Sequence, residues 1–264
     1  MSKRIEMLNS FYDERDEDTR LNRSRHGQME YITTMEYLHR YAANGSKILE
    51  IGAGTGRYSI ALAQEGYNVT AIELVESNLD VLRKNSEGLN NLHSFQGDAL
   101  DLSRFDDGEF DITLVLGPMY HLYDRNDVNL AIDEAIRVTK EDGVILMAFL
   151  SVYAILSDNY LNGSFKEGIN ENFTAEYTVK HFEEQLFTGY DIVEFEGLFA
   201  DKKVERLATV AVDSILELAE GRSDFLMSDD EFEAFAKYHL ATCEKRELLG
   251  CSSHLLCICR KNKS

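Results

Sequence analysis

The feature that most narrows what this chain can fold into is a short apolar run ending in a glycine turn. Lys47-Ile48-Leu49-Glu50-Ile51 is followed directly by Gly52-Ala53-Gly54-Thr55-Gly56. Glycines without β-carbons let the backbone turn tightly between a strand and a helix and approach a ligand closely. Residues 57–65 then read as a helix stopped by Gly66, and 68–73 as a second strand. The alternation goes on: helix over 76–86, strands over 92–96 and 110–116, helix over 127–139. The run 143–150 (GVILMAFL) is continuously apolar, as in a strand buried on both faces. Strand–helix alternation at this spacing predicts an α/β fold, a mostly parallel sheet layered between helices.

The flanks are less regular. Residues 4–42 read as helical, with Ile32, Met35, Leu38 and Ala42 on one face and a stop at Asn44-Gly45. After 150, residues 151–176 read as an irregular insertion carrying Tyr153, Tyr160, Phe165 and Phe173. A helix over 178–187, a strand over 191–198 and helices over 203–219 and 229–247 are expected next. Ser228-x-x-Glu231 opens the last of these as a capping box. The segment 253–260 reads as the last strand. The expected division is 1–45, 46–150 and 151–264, with insertions at 151–176 and 201–248.

Charge restricts partners. The chain has 27 Lys and Arg against 47 Asp and Glu, a net −20, so RNA or DNA meets net repulsion and nucleic acid is disfavoured as a partner. No apolar run approaches the roughly 20 residues needed to span a bilayer, and the start lacks the apolar stretch of a signal peptide. A cytoplasmic protein is expected. Cys243, Cys251, Cys257 and Cys259 form no C-x-x-C pair. In a strand, His254 faces away from Cys257 and Cys259, so reduced thiols and no metal are expected.

Three further features follow successive strands. Glu73 ends the second strand, 21 residues after Gly52, where a carboxylate can accept hydrogen bonds from ribose hydroxyls. Asp98, in Gly97-Asp98-Ala99-Leu100, follows the third strand and can accept from an adenine amino group. Leu116-Gly117-Pro118-Met119-Tyr120-His121 follows the fourth. Arg57 stands where a dinucleotide loop of the form G-x-G-x-x-G would be continued, so the pattern here is G-x-G-x-G, favouring a ligand without a pyrophosphate.

Together these stretches of 47–150 resemble the core of class I, Rossmann-like S-adenosylmethionine methyltransferases. LEIGAGTG is similar to that family's first motif, AIEL to its second, GDAL to its third and FDITLVLGPMYHL to its fourth. The resemblance implies a sheet finished by an antiparallel last strand, with S-adenosylmethionine as cofactor and S-adenosylhomocysteine as product. It implies that Glu50 and the backbone of Gly52, Ala53, Gly54, Thr55 and Gly56 hold the methionine portion. Glu73 would bind the ribose, Leu74 pack on the adenine, Asp98 and the Ala99 amide read the adenine edge, and the Leu116 carbonyl face the amino-acid end. The segment FYDERDEDTRLNRSRHGQ resembles the helical lid of small-molecule members, with Tyr12 and Arg25 as expected cofactor contacts.

His121, a near-neutral titrating group at the rim, is the candidate base, and Tyr120 a candidate lining of the acceptor site. The fourth motif lacks the polar head common in enzymes acting on nucleobase amino groups, so a small-molecule acceptor is expected. The insertions 151–176 and 201–248 would cap it. The rival readings are a nicotinamide oxidoreductase, a non-catalytic cofactor-binding protein, and a methyltransferase of protein or RNA.

Overall fold

The computed structural model describes residues 3–13, 18–183 and 185–263. Three helices, α1 (Lys3–Asp13), α2 (Arg20–Arg23) and α3 (Arg25–Tyr41), precede the first strand. The alternating part follows as β1 (Lys47–Ile51), α4 (Arg57–Gln64), β2 (Asn68–Glu73), α5 (Glu76–Asn85), β3 (Leu92–Gln96), β4 (Phe110–Val115), α6 (Arg125–Val138) and β5 (Thr139–Ser151). The chain then forms α7 (Val152–Leu161), α8 (Phe165–Asn172), β6 (Gly189–Tyr190), α9 (Ile192–Gly197), β7 (Val204–Ala211), α10 (Leu216–Glu220), α11 (Asp229–Thr242), α12 (Arg246–Leu249) and β8 (His254–Lys261).

The sheet runs in the order β3-β2-β1-β4-β5-β8-β7, with β6 added to β5. β1 to β5 are parallel, and β8 lies antiparallel to both β5 and β7. Central strands are largely apolar where helices cover both faces: Ile48, Leu49, Leu114, Val115, Leu146 and Phe149 are all buried. The strand order reverses direction between β1 and β4. In open sheets of this kind the crevice for ligands lies there, outside the carboxyl ends of the strands.

Four sequence expectations are corrected. Residues 191–198, expected as a strand, form α9, because the Asp191 side chain accepts hydrogen bonds from the Val193 and Glu194 amides and caps a helix. Phe195 then turns inward and stacks on Phe149 with ring centroids 3.8 Å apart. Residues 203–219, expected as a helix, begin with edge strand β7, so the 201–248 region is not a purely helical insertion. The partner that makes it a strand, β8, is some fifty residues away in sequence and outside any local periodicity. Residues 151–176 form α7 and α8 rather than an irregular run, with Ser151 capping the first. The described part of 178–187 contains no helix; the Thr188 amide instead bonds the Tyr120 carbonyl at 2.6 Å. The capping box of Ser228 and Glu231 is formed at the start of α11. Of the segment expected to form a helical lid, residues 14–17 lie outside the described residues.

Candidate active site

β1 delivers its chain into a turn that few side chains tolerate. Gly52, Gly54 and Gly56 all have positive φ, at 77°, 55° and 92°, the left-handed region that glycine adopts without cost. The Gly52 and Ala53 amides both donate to the Ile72 carbonyl of β2, at 2.8 and 3.0 Å, which ties the loop to its neighbouring strand. A β-carbon on Gly52 would lie 2.6 Å from Cδ of Pro118. The chain's one proline therefore packs directly against the glycine loop.

A cavity of about 1080 Å³ opens above this loop. Glu50, Gly52, Ala53, Gly54, Thr55, Glu73, Leu74, Asp98, Ala99 and Leu116 all line it, as do Tyr12, Tyr120 and His121. Two expected residues do not. Gly56 caps α4 instead, where Leu82 and Ile60 crowd it. Arg25 turns away: it ion-pairs with Asp229, and its guanidinium lies 4.7 Å over the Phe232 ring. Arg4 of α1 reaches the cavity in its place and ion-pairs with Asp98.

The acidic groups are differently held. Glu73 is buried, with one oxygen accepting from the Gly54 amide at 2.7 Å and the other from the Val75 amide at 2.8 Å. Burial raises its pKa, and those amides pull it back. Glu50 is 1% exposed and accepts from the Ser59 hydroxyl. Burial dominates there and pushes its pKa up to about 8, with the Glu73 charge adding to the rise. A carboxyl whose folded pKa lies above its unfolded value binds extra protons in the native state. Its contribution to stability is therefore lost as pH rises from near 4.5 through about 8. We expect Glu50→Gln to gain melting temperature relative to wild type on going from pH 5 to pH 9. Parallel pH dependence in both proteins, followed by scanning calorimetry, would contradict this.

His121 is buried with both ring nitrogens engaged. Nδ1 lies 2.7 Å from the Leu186 carbonyl, so Nδ1–H donates, and Nε2 accepts from the Tyr12 hydroxyl at 3.0 Å. Burial pushes its pKa down to about 4. Phe187 packs on the ring, centroids 5.0 Å apart. Helix α1 is thus fastened over the cavity at two points, by Arg4 to Asp98 and by Tyr12 to His121.

Arg20 and His254 also line the cavity, backed by Glu30 and Asp213, although nothing local in the sequence marks them. Arg20 makes a two-pronged contact with buried Glu30, at 2.9 and 3.1 Å. Burial pushes the Glu30 carboxyl up, but Arg20 and then His254 overcome this and hold it at about 2. His254 faces Asp213, Nδ1 to Oδ2 at 2.7 Å. The pair is illegible in sequence because Asp213 lies in a segment whose pattern reads as helix, forty-one residues from His254. Arg20 and Glu30 stand ten residues apart, at no helical repeat.

The family model for a methyltransferase domain matches residues 48–143. The chain is 36% identical over 108 residues to a demethylmenaquinone methyltransferase of Clavibacter sepedonicus, covering 40% of this chain and 42% of that protein. It is 24% identical over 192 residues to a ubiquinone biosynthesis O-methyltransferase of Rickettsia typhi, covering 67% and 73%. Apart from such longer alignments, the chain spans less than half the length of the curated relatives it matches first. Among solved structures, phosphoethanolamine N-methyltransferase 1 of Haemonchus contortus, bound to phosphoethanolamine and S-adenosylhomocysteine, superposes with a TM-score of 0.62. The identity is 15%, over 100% of this chain and 50% of that one.

Proposed function

We propose, from the premise that residues 48–143 are a class I methyltransferase domain, that this chain binds S-adenosylmethionine in the cavity and transfers its methyl group to a small-molecule acceptor. The observation that carries this reading is the continuity of the space. One cavity is lined by the glycine loop, Glu73 and Asp98 and also by Arg20, Tyr120 and His254. The residues fit the cofactor. A β-carbon at position 52 would run into Pro118, so the loop keeps this shape only with glycine there, and buried Glu73 presents a carboxylate to the cavity. That relatives are named for menaquinone and ubiquinone biosynthesis supports a small acceptor. On this reading residues 1–45 serve as lid, 46–150 as cofactor domain, and 151–264 complete the sheet and cap the acceptor.

The bound sulfonium supplies an already electrophilic methyl group. The protein's part is orientation and exclusion of water. The Gly52–Thr55 backbone would hold the methionine portion, Glu73 the ribose hydroxyls, and Leu74, Asp98 and Ala99 the adenine. Asp98 must share or exchange its Arg4 partner when the adenine amino group arrives. Tyr12 and His121 hold α1 closed. With both nitrogens engaged and its pKa low, His121 serves as the lid's anchor, and Tyr120 as a wall of the acceptor half.

Tyr12→Phe removes one hydroxyl hydrogen bond, worth about 0.5–1.5 kcal/mol. Release of S-adenosylhomocysteine, followed by stopped-flow fluorescence of a labelled analogue, is expected to quicken roughly threefold to tenfold. Unchanged release would remove the anchoring role. The activity itself is tested by incubating the protein with S-adenosylmethionine labelled in the methyl group. Metabolite, RNA and protein fractions of a cell extract are offered separately. Label is expected in the metabolite fraction; label confined to RNA or protein would overturn the small-molecule reading.

A further inference from the structure

A second concavity, of about 450 Å³, lies between α7, the start of α8 and α10. Leu156, Tyr160 and Leu161 line it from α7, and Ile215, Leu218 and Ala219 from α10 and the residue before it. Phe165 of α8 closes one wall, its ring edge-on to Tyr160 with centroids 5.3 Å apart. These apolar side chains are not spent on the protein's own core: Tyr160 is 66% exposed, and Leu161 and Ile215 are each 50% exposed. A contiguous apolar surface of this kind marks a place where something binds.

The two helices sort their charges by face. Asp158 of α7 and Glu217 of α10 line the large cavity instead. Glu220 is taken up by the Arg25 and His26 amides and the His26 ring. The groove is thereby lined without a carboxylate, in a chain that has 47 Asp and Glu. Among the described residues, the charged side chain lining it is Arg222. Ile215, Leu218, Ala219 and Arg222 stand at helical spacing, an apolar stripe with a cation at its end. Arg222 pairs with Asp224 at 2.6 Å, and both side chains are well exposed. An exposed pair of that kind yields to a competing anion at little cost.

We propose that this groove binds a medium-chain alkyl carboxylate, its chain lying along Leu161, Ile215 and Leu218 and its carboxylate at Arg222. From Ile215 to Arg222 the helical rise gives a path of about 10 Å, linear and apolar, with a cation at one end. The volume is that of a small-molecule site. A partner helix, about 10–12 Å across, would fill it in roughly one turn. Leu218 lines both the groove and the large cavity, so an occupant bears on a wall of that cavity. The assignment stands independently of methyl transfer.

The probes are hexanoate, octanoate and decanoate, each kept below its micelle-forming concentration. Decyltrimethylammonium supplies a chain of like length with the opposite head charge. Titrated into the full chain by calorimetry, the carboxylates should bind saturably and gain roughly tenfold in affinity for each two carbons added. Decyltrimethylammonium should bind about tenfold more weakly than decanoate, since the head it offers repels Arg222. Ile215→Asp sets a carboxylate against the chain and should weaken decanoate by roughly tenfold or more. Arg222→Gln should weaken it about threefold to fivefold. Methyl-labelled wild type locates the site without any variant: decanoate should move the methyl resonances of Leu156, Leu161 and Ile215. Shifts confined to Leu8 and Leu21, which line the large cavity, would overturn the proposal. So would the absence of saturable binding, equal affinity in Ile215→Asp, or equal affinity for decyltrimethylammonium. Self-association that Ile215→Asp abolishes, with no decanoate bound, would also overturn it and assign the groove to a second copy of this chain.

Discussion

Gly52→Ala is expected to abolish measurable S-adenosylhomocysteine binding and to lower thermal stability markedly. At φ 77° a β-carbon is strained, which costs on the order of 1–3 kcal/mol. The same β-carbon would lie 2.6 Å from the Pro118 ring, and overpacking of that kind costs a further 1–3 kcal/mol or so. At roughly 2–4 °C per kcal/mol the melting temperature should fall by about 5–20 °C. Relief is available only by moving the loop off Pro118, which breaks the Gly52 and Ala53 bonds to Ile72 and closes the cradle. Gly66→Ala is the matched control. Its φ of 94° carries similar backbone strain, but no atom lies within 4 Å of the added carbon. It should lose stability and keep binding. Binding retained in Gly52→Ala would show that the cofactor does not rest on this loop.

Glu73→Ala is the second large effect. Two ribose hydroxyls donating to one carboxylate amount to two charge-assisted bonds, each worth about 1.5–3 kcal/mol. Their loss should weaken cofactor binding by roughly a hundredfold to ten-thousandfold. Alanine also strands the Gly54 and Val75 amides that Glu73 now satisfies. Glu73→Gln separates the two effects: its amide oxygen can keep one of those bonds, so stability should recover more than affinity does. Equal recovery of both would mean that Glu73 braces the loop and does not meet the ribose.

Why the core could be read from sequence while the flank could not comes down to where each element's partners lie. The run Ile48 to Ile51, the Gly52 turn and the 143–150 strand announce themselves because burial on both faces and left-handed φ leave local marks. Glu73 at the end of β2 and Asp98 two residues past β3 line the cavity because both sit at the carboxyl ends of parallel strands. β7 left no comparable mark. Its residues become a strand through pairing with β8, and reading Asp213 as helical hid its approach to His254. In α9, the Asp191 cap outweighed an alternation that looked like a strand. His121 lines the cavity as its position suggests, but its hydrogen bonds run to Tyr12 and Leu186, 109 and 65 residues distant. Arg4 in place of Arg25 is a matter of how α1 crosses the cavity, which local periodicity does not encode.

The measurement that tests the central claim most directly is calorimetric titration of the ligand-free protein with S-adenosylmethionine, S-adenosylhomocysteine and NADH, beside a Glu73→Ala, Asp98→Ala double variant. Saturable binding of the first two to wild type alone, with no heat from NADH, is the predicted result. Binding of NADH alone, or sulfonium-cofactor binding that survives intact in the double variant, would contradict it.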